Sequence, residues 1–175
     1  MNLFLTGGIQ VGKTTLIKRL IQELGVTVGG FCTARHFAGD RQDGFIIQDI
    51  TEAGQPGAPF HYIARGSRET GWQPVPETFE TVGVQILAQC LETKKDLIIM
   101  DELGHLESGA PLFQEMVHRC LSFPVPVLGV LKERSTPFLD SIRQRPDVRL
   151  VPVTAANREE QYGVVRRLLL AHLKR

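Results

Sequence analysis

The sequence predicts an α/β fold in three layers, with a mostly parallel central sheet covered by helices on both faces. Three observations carry that expectation. Short apolar runs alternate with amphipathic stretches along most of the 175 residues, the order that sets helices against both faces of a parallel sheet. A glycine-rich stretch joins the first apolar run directly to the first amphipathic one. Residues 26–50 break the alternation and read as a long β-hairpin inserted into it.

The elements follow in order. Asn2 to Thr6 is a short apolar run, expected as the first strand. Lys13 to Leu24 puts Leu16, Ile17, Leu20, Ile21 and Leu24 on one face, a helical spacing, and Gly25 ends it. Val26 to Thr33 and Phe45 to Ile50 are expected as the hairpin strands, joined by the polar turn "ARHFAGDRQDG". "TEAGQPGAP" reads as loop, Pro59 to Ala64 as a further strand, and "RGSRETGWQPVP" as a long irregular loop. Thr78 to Glu92 is a second helix, with Phe79, Val82, Ile86, Leu87, Cys90 and Leu91 inward. Asp96 to Met100 is a buried-type strand. Ala110 to Leu121 is a helix with Pro111 in its first turn. Val125 to Leu131 is a strand, Pro137 to Gln144 a short helix, Val148 to Val153 the last strand and Ala156 to Leu173 the closing helix. No repeat, low-complexity tract or linker interrupts the chain, so residues 1–175 are expected to form one domain.

Composition narrows the function classes. Apolar residues are 42% and charged residues 22%, an ordinary globular balance. Twenty basic residues against 19 acidic ones leave a net charge of +1, which is no footprint of a dedicated nucleic-acid binder. Cys32, Cys90 and Cys120 are far apart and form no Cys-x-x-Cys pair, so they read as buried or free thiols rather than a disulfide framework or zinc site. No apolar run approaches the roughly 20 residues of a membrane span, and the first residues lack a signal peptide's pattern. A cytoplasmic, monomeric protein with a small-molecule ligand is the expectation.

Residues 7–14, Gly7-Gly8-Ile9-Gln10-Val11-Gly12-Lys13-Thr14, fit G-x-x-x-x-G-K-[ST] without a gap, between a strand and a helix. Glycines let the backbone approach phosphates closely. Successive N–H groups and the helix N-terminus then supply positive dipole ends. Lys13 offers a charge to the β/γ-phosphates, Thr14 a hydroxyl to Mg²⁺, and Thr15 reaches toward the α-phosphate. The stretch predicts nucleotide binding and leaves the reaction open.

In "DLIIMDELGHLE", an apolar run ends in Asp101-Glu102. Carboxylates at the C-terminal tip of a strand stand beside the phosphate loop. Asp101 is expected to hold Mg²⁺, and Glu102 to orient and deprotonate water. His105 and Glu107 follow in the same loop: one reads as a phosphate contact or an exposed histidine, the other as a loop anchor or site residue. Phosphoryl transfer also needs charge stabilisation. Arg41 is the first candidate, with Arg35, Arg65, Arg68, Arg134, Arg143 and Arg145 behind it. Trp72 either stacks on a base or anchors its loop. "TKKD", Thr93 to Asp96, resembles a guanine-reading tetrapeptide but precedes its strand, so it reads as a turn at the far end of the sheet.

With these residues in view, the chain resembles the small nucleoside-triphosphatase family of thermophiles and of a human cancer-related enzyme. "TGGIQVGKTTL", "VGGFCTARHFAGDRQDGFIIQDI", "DLIIMDELGHLE" and "SIRQRPDVRLVPVTAANREE" carry the likeness over nearly the whole length. The resemblance implies a P-loop NTPase fold, Mg²⁺-dependent hydrolysis of several nucleoside triphosphates such as ATP and GTP, and a place near the nucleotide for Asn157 and Arg158. The residues alone read Asn157 as a helix N-cap. The chain departs from the family pattern at Ala34, Phe37, Gln42 and His105, where the family carries charge. Two other readings stand beside hydrolysis: phosphoryl transfer to a small acceptor, with "RGSRETGW" as a lid, and a nucleotide-gated accessory module that turns over slowly until a partner supplies an arginine.

Overall fold

The computed structural model describes residues 1–173. β1 (Asn2–Thr6) leads through the glycine-rich loop into α1 (Lys13–Leu24). β2 (Val28–Ala38) and β3 (Arg41–Asp49) form a hairpin, and β4 (His61–Ser67) and β5 (Gly71–Pro74) form another. A helical run follows, made of α2 (Pro76–Thr78), a π turn (Phe79–Gly83) and α3 (Val84–Glu92). Then come β6 (Leu97–Leu103), a 3₁₀ turn (Leu106–Gly109), α4 (Pro111–Leu121), β7 (Val127–Leu131), α5 (Pro137–Arg143), β8 (Val148–Pro152) and α6 (Arg158–Leu173).

Among the described residues, all strands join one eight-stranded sheet in the order β5-β4-β3-β2-β6-β7-β1-β8. β2, β6, β7, β1 and β8 run parallel, while β3, β4 and β5 extend the sheet antiparallel beyond β2. Alternation along β1 divides the core. Leu3 and Leu5 pack with Leu16, Ile17 and Leu20 of α1 and Val165 and Leu169 of α6. Phe4 faces the other way, among Leu87 of α3, Phe113 and Val117 of α4, and Leu139 of α5. Each such fully buried side chain contributes about 1.5–3 kcal/mol. The three-layer α/β/α expectation is met. Among the described residues, no helix is long and apolar enough to cross a membrane.

The antiparallel extension corrects two expectations. The polar turn expected over residues 34–44 is mostly strand, and only Gly39 and Asp40 separate β2 from β3. The irregular loop expected at "RGSRETGWQPVP" contains the end of β4, a tight turn and β5. Both stretches are polar because this part of the sheet has little core to face, so hydrophobic alternation does not mark them. The helix expected from Thr78 starts at Pro76 and carries a π turn, and the strand expected to stop at Met100 runs on to Leu103.

Candidate active site

β1 ends at Thr6, and its neighbours β7 and β8 end at the same level. The glycine-rich loop leaves from that edge. Gly7 takes φ +123°, and a Cβ there would stand 2.1 Å from the carbonyl oxygen of Val153, just after β8. Thr6 O accepts a hydrogen bond from Val153 N at 2.9 Å. The loop is thus pressed against the end of β8, at a distance only glycine permits. Gly12, at φ +97°, lies under the Arg158 side chain, whose Cδ would stand 2.7 Å from a Cβ at that position. Gln10 is the one non-glycine residue with positive φ among those described.

Lys13 is buried, and its Nζ donates to Gly7 O at 2.7 Å and Gly8 O at 2.5 Å. The ammonium therefore sits inside the curl of the loop. Thr14 follows, and its hydroxyl donates to Asp101 Oδ1 at 3.3 Å. Asp101 reaches it from the C-terminal end of β6, with β7 standing between β6 and β1. Asp101 is 3% exposed, and burial pushes its carboxyl up to about 6. A carboxylate and a hydroxyl in contact are hard oxygen donors of the kind Mg²⁺ accepts. Among the described residues no group of three or more His, Cys, Asp or Glu side chains gathers as a metal cage. Two protein oxygens suit an ion that keeps water and phosphate oxygens as its other ligands.

Glu102 is next along β6; the Asp101–Glu102 peptide is cis. Its backbone N–H donates to Thr33 Oγ1 on β2 at 3.3 Å, and its Oε1 lies 2.8 Å from Lys132 Nζ. Lys132 follows β7, the strand between the phosphate loop and Asp101. Arg143 of α5 fixes this segment by donating to the carbonyl oxygens of Lys132 and Arg134, the latter at 3.0 Å.

These elements enclose a cleft of about 750 Å³. The loop residues Gly7, Gly8, Ile9, Gln10, Gly12, Lys13, Thr14 and Thr15 form its floor. Glu102, His105, Lys132 and Arg134 line one side, and Thr33, Arg35 and Phe45 of the hairpin line the other. His105 presents a buried Nδ1 without a hydrogen-bond partner. Burial, with Arg134 and Lys132 nearby, holds its imidazole below the ordinary histidine range. Glu107 is 2% exposed and accepts from Gly104 N through both carboxylate oxygens, at 3.1 Å each, closing the loop that carries His105. Burial pushes its carboxyl up to about 7.

Several candidates lie elsewhere. Arg41 lines a second, smaller hollow with Arg68, away from the cleft floor. Val11 packs against the α1/α6 core. Asn157 stands before α6; its backbone carbonyl accepts from Gln161 N at 2.9 Å. Its side chain instead accepts from Thr154 N at 2.7 Å and donates to Pro152 O at 3.1 Å, holding the turn after β8. Trp72 anchors its strand by meeting Phe45 edge-on, with ring centroids 4.9 Å apart. Arg65 stacks over Tyr62, and Arg145 pairs with Asp147. Asp96 accepts from Thr27 N at 2.9 Å at the opposite end of the sheet from Asp101. Sequence reasoning missed Lys132, Thr33 and Phe45 as cleft residues. For Lys132 a signal existed: it follows an apolar strand run, as Asp101 caps another.

Comparison with known proteins places this arrangement. Residues 2–165 match the protein family described as NTPase. The nucleoside-triphosphatase THEP1 of Thermotoga maritima is 34% identical over 159 residues, covering 90% of this chain and 89% of that one. Its namesake in Methanocaldococcus jannaschii is 32% identical over 178 residues, covering 99% and 100%. The crystal structure of THEP1 from Aquifex aeolicus superposes with a TM-score of 0.77 at 27% identity, over 97% of this chain and 99% of that one. The solution structure of a human cancer-related nucleoside triphosphatase gives 0.76 at 26%, over 97% of both.

Proposed function

The chain belongs to the NTPase family, and on that premise we propose that it is a Mg²⁺-dependent nucleoside-triphosphate phosphohydrolase acting on several nucleoside triphosphates. The observation that carries the reading is the contact of Thr14 Oγ1 with Asp101 Oδ1 at 3.3 Å beside the Lys13 loop. A phosphate cradle and a pair of hard oxygen donors meet there, Thr14 lining the cleft and Asp101 buried in contact with it. Thr14 and Asp101 would hold Mg²⁺, which when bound neutralises phosphate oxygens and polarises the γ-phosphorus.

The chain's own groups do the rest. Backbone N–H groups from Gly8 to Lys13 and the α1 N-terminus bind the phosphates. Lys13 Nζ exchanges the carbonyl oxygens of Gly7 and Gly8 for β- and γ-phosphate oxygens. Glu102 accepts a proton from water as the water oxygen bonds to the γ-phosphorus; the bond from that phosphorus to the β–γ bridging oxygen breaks, and the nucleoside diphosphate leaves with that electron pair. Lys132, Arg35 and Arg134 line the same cleft and supply positive charge where the transferring group gathers negative charge. Arg158 lies over Gly12 and brings a positive charge beside the loop. Residues 1–175 act as one domain in this reading, as a cytoplasmic monomer needing no nucleic acid.

The test is phosphate release by the purified protein with Mg²⁺ and each of ATP, GTP, CTP and UTP, with no added acceptor. Repeated turnover is expected, and Glu102→Gln should retain nucleotide binding while losing turnover about 10²-fold or more. Tight binding without release would overturn the hydrolase reading, and full activity in Glu102→Gln would pass the base's role to another group.

A further inference from the structure

Beside the nucleotide cleft, the turns of the two hairpins enclose a second hollow of about 350 Å³. Arg35 and Phe37 of β2, Arg41 at the start of β3, and Arg68 in the β4–β5 turn point their chemistry at it. Arg35 lines the nucleotide cleft as well, so the two spaces share a wall.

Charge distinguishes this hollow. Some arginines elsewhere meet carboxylates, Arg19 with Glu159 at 2.8 Å, Arg143 with Asp140 at 2.6 Å and Arg145 with Asp147 at 2.7 Å, while others such as Arg65 and Arg134 do not among the described residues; here three arginines converge on one space. Arg35, Arg41 and Arg68 make no ion pair among the described residues, although Asp40 and Glu69 line the same hollow. Three arginines against two carboxylates leave the lining with an excess of positive charge, which favours a bound anion. Guanidinium groups also match phosphate oxygens with paired N–H donors.

The frame is set in advance. Ser67 is buried, and its hydroxyl accepts from the backbone N–H of Glu69 at 3.2 Å and of Thr70 at 3.1 Å, fixing the turn that presents Arg68. Opposite, Arg41 pairs with Ala38 across the tight β2–β3 turn. Phe37 is 51% exposed and gives the hollow an apolar wall. The volume lies at the low end for small-molecule sites.

We infer that this hollow binds a small organic phosphate, a phosphomonoester whose phosphate meets Arg41 and Arg68 and whose carbon body lies on Phe37. Arg35 couples its occupancy to the adjoining cleft. The inference stands on the hollow alone and does not require hydrolysis at the phosphate loop.

The test titrates the whole protein with glycerol 3-phosphate, reading heat of binding and Trp72 fluorescence together. A saturating, non-hydrolysable ATP analogue with Mg²⁺ keeps the phosphate loop filled. Parallel arms use inorganic phosphate, glycerol and a short single-stranded oligouridylate. Saturable binding of glycerol 3-phosphate is expected, tighter than inorganic phosphate and absent with glycerol. Arg68→Gln should weaken it about tenfold, the loss of one charge-assisted contact, and leave phosphate release from nucleotide unchanged. Absence of heat, or equal affinity in Arg68→Gln, would overturn the site. Binding seen only without the ATP analogue would assign the phosphate to the nucleotide cleft. Equal affinity for inorganic phosphate would remove the organic body, and tighter binding of oligouridylate would replace the small ligand with a polynucleotide.

Discussion

Lys132 Nζ stands 2.8 Å from Glu102 Oε1, so the cation that follows β7 and the carboxylate near the end of β6 pair on one side of the nucleotide cleft. Both side chains are only about one-third exposed, and each lines the cleft. Neither partner is locked away from a ligand.

That pairing defines a prediction for Lys132→Met. The substitution keeps much of the aliphatic stem and removes the charge. Turnover should fall by about 10²-fold, as when one electrostatic donor to a developing charge is lost, while nucleotide affinity stays within a few-fold because the phosphate loop is untouched. Steady-state phosphate release and equilibrium nucleotide titration separate the two quantities. A fall in affinity with kcat unchanged would make Lys132 a ground-state contact instead.

Gly7→Ala should act on the fold itself. Its Cβ would stand 2.1 Å from the Val153 carbonyl oxygen, and φ +123° suits no L side chain. A loss of about 2–4 kcal/mol in chemical denaturation is expected. Gly8→Ala is the control, since its Cβ meets nothing nearer than Val11 Cγ1 at 3.7 Å; its stability should stay within about 0.5 kcal/mol of the parent.

Glu107 gives a pH signature. Burial lifts its carboxyl from the ordinary 4.5 to about 7. Between those values the native state keeps a proton that the unfolded chain has released, so stability falls as pH rises through that window. Asp101 works in the same direction between 3.8 and about 6. Glu107→Gln retains an acceptor for Gly104 N and removes the buried charge. It should therefore stabilise the ligand-free protein by on the order of 2 kcal/mol at pH 8 and by little near pH 4.5. Thermal melts of both proteins across that range measure the difference; a gap that does not grow with pH would refute it.

The sequence displays the parts of this molecule that are local. The phosphate loop, β1 and α1 are contiguous, and Asp101 and Glu102 end an apolar strand, so each could be read without knowing the rest. Two kinds of feature were not legible. β2 beyond Thr33 and the β4–β5 hairpin are polar strands on a thinly covered part of the sheet, where the apolar alternation that signals a strand is missing. Lys132 and Thr33 become site residues only because β7 and β2 flank β6, a strand order that no single stretch encodes. Arg143 shows the converse: as a charge it looked like a ligand contact, yet its donors go to the Lys132 and Arg134 carbonyl oxygens.

The pairing of β1 with β8 bears on how the molecule comes into being. Asn2 stands opposite Val148, and Gly7 rests on Val153. A ribosome delivers the phosphate-binding stretch first, but the strand that braces it emerges about 140 residues later. At roughly 5–20 residues per second, several seconds pass in which the chain carries the signature of a nucleotide site without its wall. Contacts this distant in sequence also slow the final closure. The backing of the phosphate loop is therefore completed only late in synthesis.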